Sequence, residues 1–185
     1  MNKLVVLFPG IGYTNDKPLL YYSSYIATRR GYEVIKLDFS GFPKGAKGDE
    51  KKILECFDIA VRQAEEALKD VDFDKYVDII FISKSIGTGA AAYYASKHKV
   101  KARHIFFTPL EKTISLAKNG SSAIAFTGTA DPWADYDTVR DICSKKKIPL
   151  TIIENANHSL ETGVLNVDIG ILSEVMNIVS DYIGL

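Results

Sequence analysis

The stretch DIIFISKSIGTGAAAYYA, residues 78–95, joins an apolar run of strand length to a small-residue run that reads as the start of a helix, with Ser83-Lys84-Ser85 at the joint. Two readings compete. In the first, Lys84-Ser85 ends a phosphate-binding loop. That loop would need glycine where Asp78 and Ser83 stand, and the intervening residues are an apolar strand with no slack to wrap a phosphate. Spacing therefore excludes it. In the second, Ser85 is a nucleophile on a strand-to-helix turn, where strained backbone demands small residues two before and two after it. Ser83 and Gly87 occupy those positions. Gly89 and Ala90 to Ala92 then give a helix start with little side-chain bulk, which lets the helix pack closely on a sheet and brings its positive end near Ser85. On such an elbow Lys84 points away from the apex, so a packing or surface role is expected for it.

Outward from this joint, apolar runs of strand length recur at 3–8, 33–37, 77–82, 104–107, 123–127 and 150–153. Helical patterns lie between and after them, at 18–30, 50–69, 87–97, 111–118, 136–146 and from about 168 to 183. In the second, Ile53, Phe57, Ala60, Val61, Ala64, Ala67 and Leu68 follow the three-and-four spacing of one buried face. Strands that alternate with helices and are apolar along most of their length belong to a parallel sheet covered on both faces. The expected fold is a doubly wound α/β sandwich with a six-stranded, all-parallel sheet. No repeat or linker-like tract interrupts the alternation, so residues 1–185 read as one domain.

In such sheets a ligand crevice lies beyond the carboxyl ends of the strands. Three of the strand-end segments, SKSIG, GTADPW and NANHSLE, hold a serine, an aspartate and a histidine. A serine hydroxyl needs an imidazole to take its proton and a carboxylate to orient that imidazole. Of three histidines, His98 ends a helix and His104 begins a strand at the far edge, so both are expected at the surface, which leaves His158. Among the four aspartates at 131–141, Asp131 stands nearest a strand end. The expected catalytic set is Ser85, Asp131 and His158.

After the first strand, PGIGYTN carries Gly10 and Gly12, and Asp38 follows the second strand. Together these resemble part of a dinucleotide fingerprint, but Asn15 holds the third glycine position. The competing reading is an oxyanion loop in which the N–H groups of Ile11 and Ile86 point at one spot. A nucleotide site would leave Ser85, Asp131 and His158 without a purpose.

Composition narrows the partners. Lys plus Arg balances Asp plus Glu at 23 each, which argues against nucleic acid. No apolar stretch reaches membrane-spanning length, and the N-terminal apolar run is too short for an export signal. A cytoplasmic protein is expected, with Cys56 and Cys143 as reduced packing residues and no metal site.

These residues resemble the α/β-hydrolase superfamily over nearly the whole chain, in the compact form of dienelactone-hydrolase-like and small carboxylesterase members. The order nucleophile, acid, histidine is met, and Pro9-Gly10-Ile11 matches the family's oxyanion loop, with Pro9 in place of His and Ser83 in place of Gly as departures. The resemblance implies a sheet without the family's first two strands, no cap domain, no cofactor, and cleavage of a small ester or thioester substrate. Gly10, Tyr13, Trp133, Phe42 and Pro109 are expected to line the pocket. Two alternatives stay open: a binding protein of the same fold with weak or no catalysis, and a nucleotide-binding protein. Oligomeric state is not legible.

Overall fold

In a computed structural model of the chain, residues 2–120 and 122–185 are described; Met1 and Ser121 lie outside them. The elements are β1 (Asn2–Phe8), α1 (Pro18–Arg29), β2 (Tyr32–Lys36), α2 (Glu50–Leu68), β3 (Tyr76–Lys84), α3 (Ile86–Lys97), β4 (Arg103–Phe107), α4 (Glu111–Ser115), β5 (Ala123–Gly128), α5 (Tyr136–Lys146), β6 (Leu150–Ile153) and α6 (Leu165–Ile183). The six strands form one sheet in the order β2-β1-β3-β4-β5-β6, with every pairing parallel. The expected architecture is the one observed.

Alternation along the strands sends apolar side chains to both faces. Val5, Leu7, Ile80, Ile82, Phe107 and Phe126 pack under α1 and α6, through Leu20, Ala27, Val175 and Val179. On the other face Leu4, Val6, Phe8 and Phe81 meet Ala60, Ala64 and Leu68 of α2 and Ala90, Ala91 and Tyr94 of α3. Farther along, Phe106 and Ala125 pack with Val139 and Cys143 of α5. Each fully buried Phe or Leu here contributes about 1.5–3 kcal/mol through removal of apolar surface from water. The chain leaves β1 outward to β2 and then crosses back to β3, so the loops after β1 and β3 diverge from a switch point. Gly10 and Ser85 flank that point.

Several local expectations change. Helix α4 ends at Ser115 instead of Lys118, and α6 begins at Leu165 instead of 168. In α2, Cys56 joins the buried face and Ala67 is exposed. His104, expected at the surface, is buried: it is opposite Phe81 in register, its ring meets Phe81 edge-on, and it stacks on Phe106. Because both faces of the sheet are covered, the first residues of β4 lie inside as well. Lys84 is also fully buried. It shares the parity of Ile80 and Ile82 on β3, and that face of the strand has no solvent side.

Candidate active site

Ser85 follows the last residue of β3 and precedes the first of α3, with φ 53° and ψ −121°. A non-glycine residue at positive φ is strained and persists only where its surroundings impose it. Here they do. The Ser85 N–H donates to Phe107 O at 3.0 Å, and Thr88 donates to Ser85 O from its N–H at 3.0 Å and from its hydroxyl at 2.6 Å. Two residues on, a Cβ at Gly87 would stand 2.4 Å from both Phe8 O and Pro9 O, so only glycine admits the β1 chain end this close. Ser83, where the family pattern has glycine, is accommodated: its hydroxyl is buried and donates to Ile105 O at 3.2 Å.

The loops after β5 and β6 are tied together before they reach the serine. A Cβ at Gly128 would stand 2.1 Å from Ala156 O, and Ala130 N–H donates to that same oxygen at 3.0 Å. Asp131 Oδ1 accepts the Trp133 N–H at 2.8 Å, and Asp131 Oδ2 lies 2.7 Å from His158 Nδ1. His158 Nε2 lies 2.8 Å from Ser85 Oγ. The histidine loop is fixed in turn by Asn157, whose Oδ1 accepts the Ser159 N–H at 2.7 Å, and by Thr108, whose hydroxyl donates to His158 O at 3.0 Å. The structure thus brings together Ser85, His158 and Asp131 in one hydrogen-bonded line.

Ile11 and Ile86 flank the serine on two different loops and pack near each other in one small apolar cluster. Ile86 opens α3, where backbone N–H groups have no helical acceptor. The loop bearing Ile11 is closed by reciprocal Gly10 and Tyr13 backbone bonds of 3.1 and 3.4 Å, with Gly12 at φ 68°. Gly10 is in contact with the serine: a Cβ there would stand 3.2 Å from Ser85 Cβ.

The expected pocket residues divide. Tyr13 is buried in the core under α1, its hydroxyl accepting the Leu19 N–H at 3.0 Å, so it supports the loop and lines no open surface. Pro109 is likewise buried. Trp133 is half-buried, and its ring stacks on His158 with centroids 5.5 Å apart. From Trp133 a groove of about 310 Å³ runs between Leu110 and Ile53. It shares Glu50, Ile53 and Lys112 with an apolar groove of about 550 Å³ walled by Leu54, Phe57 and Leu116. Phe42 stands behind Ile86, against the same cluster. Among the described residues no group of three or more His, Cys, Asp or Glu side chains could hold a metal ion, and no helix is long and apolar enough to cross a membrane.

Burial lowers the pKa of His158, opposed by its hydrogen bond to Asp131 and reinforced by the nearby charge of Lys84. A neutral imidazole with Nδ1–H donated to Asp131 leaves Nε2 free to accept the Ser85 proton, the protonation state that base catalysis needs. The 2.8 Å separation from Ser85 Oγ is within reach for the proton transfer, and the 2.7 Å contact with Asp131 orients the imidazole. Sequence reasoning missed the part of Lys84, buried beside this line; its parity with Ile80 and Ile82 was the available signal.

Residues 1–167 match a family described as an alpha/beta hydrolase domain. No curated protein matches the sequence at a significant level. Among solved structures, the chain is similar to an alpha-beta serine hydrolase homologue from Coxiella burnetii, with 18% identity, TM-score 0.69, and 97% of this chain and 84% of that one covered. It is also similar to an esterase from Pyrococcus furiosus, with 15% identity, TM-score 0.69, and 99% and 82% covered. A third is Est1E from Butyrivibrio proteoclasticus, with 12% identity, TM-score 0.61, and 95% and 88% covered. At these identities the likeness is one of fold.

Proposed function

The chain belongs to the alpha/beta hydrolase family, and within it we propose a serine hydrolase that cleaves a carboxylic ester or thioester of a small substrate. The observation that carries this reading is the continuous line Asp131 Oδ2, His158 Nδ1, His158 Nε2, Ser85 Oγ, with separations of 2.7 and 2.8 Å around a serine held at positive φ.

Ser85 Oγ attacks the acyl carbon as His158 Nε2 takes its proton, and Asp131 holds the Nδ1 tautomer and stabilises the imidazolium. The carbonyl oxygen becomes an oxyanion received by the N–H groups of Ile11 and Ile86. The tetrahedral species collapses, His158 returns the proton to the leaving alcohol or thiol, and Ser85 is left acylated. Water then repeats the sequence to release the acid. The groove leading from Trp133 past Leu110 and Ile53 offers room for an apolar substituent of the substrate. The Pyrococcus furiosus esterase among the structural neighbours lends the ester reading support by analogy of fold alone.

Hydrolysis of short p-nitrophenyl esters tests the reading. Ser85→Ala is expected to lower kcat by about 10⁴-fold or more, with the fold and the thermal transition retained. Equal turnover by wild type and variant would end it.

A further inference from the structure

Lys84 is a buried titratable side chain, next to the nucleophile, that the acyl-transfer steps leave unused. It is fully buried, and among the described residues its Nζ has no hydrogen-bond partner. The ammonium end stands 5.0 Å over the Tyr13 ring, and the stem closes against Gly10, where an added Cβ would come within 3.3 Å of Lys84 Cγ. A buried amine without a partner is costly, and a methionine would fill the same space more cheaply. Packing alone therefore gives no reason for an amine beside the nucleophile.

The ionisable groups around it come from three loops: Tyr13 after β1, Asp131 after β5, His158 after β6, with Glu161 beyond Tyr13. On its other flank β4 sets Phe107 opposite Lys84 in register. Burial pulls the amine down to about 7 against the upward pull of Asp131, and the ammonium in turn lowers His158. With Lys84 protonated and His158 neutral, the positive charge is balanced by the Asp131 carboxylate. A second proton, on His158, would leave a net cation in a largely buried cluster.

We propose that Lys84 is a positioning residue of the triad that acts through charge: its buried amine, one residue before the nucleophile, disfavours a second positive charge on His158, so the imidazole stays available as a base. The two groups titrate as a coupled pair. The kinetic consequence rests on the serine hydrolase reading, whereas the coupling itself is a property of the fold.

Lys84→Met and Lys84→Gln, compared with wild type, test it in two ways. One is NMR titration of the His158 ring protons, in a chain with 3 histidines. The other is kcat/KM for a p-nitrophenyl ester between about pH 5 and 9, each profile scaled to its own plateau, where the acid limb reports the free enzyme's base. The expected result is a rise of about 0.5 to 1 pH unit in the His158 midpoint and in the acid limb, so that well below the midpoint the variants keep about three- to tenfold less of their plateau activity than wild type. A role in packing alone lowers stability or the plateau and moves neither midpoint; unmoved midpoints in whichever variant folds overturn the proposal. Should wild type hydrolyse no ester, the hydrolase reading falls, and the His158 midpoint still decides the coupling.

Discussion

At the N-terminal end of the sheet, Arg103 of β4 donates to both carboxylate oxygens of Asp78 on β3, at 3.1 and 2.7 Å, and to the Tyr32 hydroxyl at 3.1 Å. Tyr32 donates to the same carboxylate, and Arg103 also reaches Tyr182 O on α6. Burial works against the Asp78 carboxylate, yet Arg103 and Tyr32 together hold its pKa below the ordinary value. At the C-terminal end, on the same face of β3, Lys84 is more deeply buried and has no hydrogen-bond partner among the described residues, beside a serine in strained backbone. The first cluster has the donors and acceptors to offset its burial, and it clasps strands and α6 together. The second leaves its charge uncompensated by hydrogen bonds, the pattern expected where structure is spent on chemistry and not on stability.

The difference can be broken by mutation. Arg103→Met leaves Asp78 half-buried without its cation and is expected to cost about 2–4 kcal/mol in urea unfolding near neutral pH. Asp78 has a depressed folded pKa, so its stabilisation is present above the unfolded value of about 3.9 and is lost as pH falls through the folded value. The deficit of the variant should shrink below about pH 4.

Lys84→Met should act in the opposite direction, gaining about 1–3 kcal/mol at pH 7, because an apolar side chain replaces an unpartnered amine. Its folded pKa of about 7 lies below the unfolded value. Between those values the unfolded chain binds the extra proton, so wild-type stability rises with pH across the window from about 7 to 10.4 and the advantage of the variant fades across it. A loss of stability in Lys84→Met at neutral pH would erase the contrast between the two ends.

The smallest effect sharpens it. His104, at the opposite end of its strand from the site, is also buried, with Nδ1 unpartnered among the described residues, but burial lowers it to about 4, so it is neutral at pH 7. His104→Phe should change neutral stability by under about 1 kcal/mol. Near pH 5, where the unfolded histidine is protonated and the folded one is not, it should gain about 1–2 kcal/mol over that baseline. Thermal unfolding at the two pH values measures this, and the acid limb of the ester profile should stay where it is in wild type.

Much of this was legible in the chain. Strand ends announce themselves where Val, Ile and Phe runs give way to polar residues and glycine, so the residues beyond β3, β5 and β6 could be named, and Ser85, Asp131 and His158 do converge. Asp131 stood out among four aspartates by its place after β5. The others have ordinary occupations: Asp135 caps α5 by accepting the Thr138 N–H, and Asp137 and Asp141 pair with Arg140 at the surface. What escaped were polar residues inside strands. For Lys84 a packing or a surface role stayed open, and the place of His104 at the far edge of the sheet pointed to the surface, although a parallel sheet covered on both faces has no solvent side for either. Tyr13 was expected in the pocket because it lies in a site loop, but its hydroxyl finds the Leu19 N–H and draws the ring into the core. Helix ends shifted because caps and tertiary contacts, not apolar periodicity, set them.

The central claim is that Ser85 is a nucleophile activated by His158. Incubation of the wild-type protein with a fluorophosphonate probe, followed by mass mapping of the adduct, tests it most directly. The account predicts one covalent adduct, on Ser85, absent in Ser85→Ala and strongly slowed in His158→Ala. A wild-type protein left unlabelled under conditions that label a control esterase, or labelled at another residue, would contradict it.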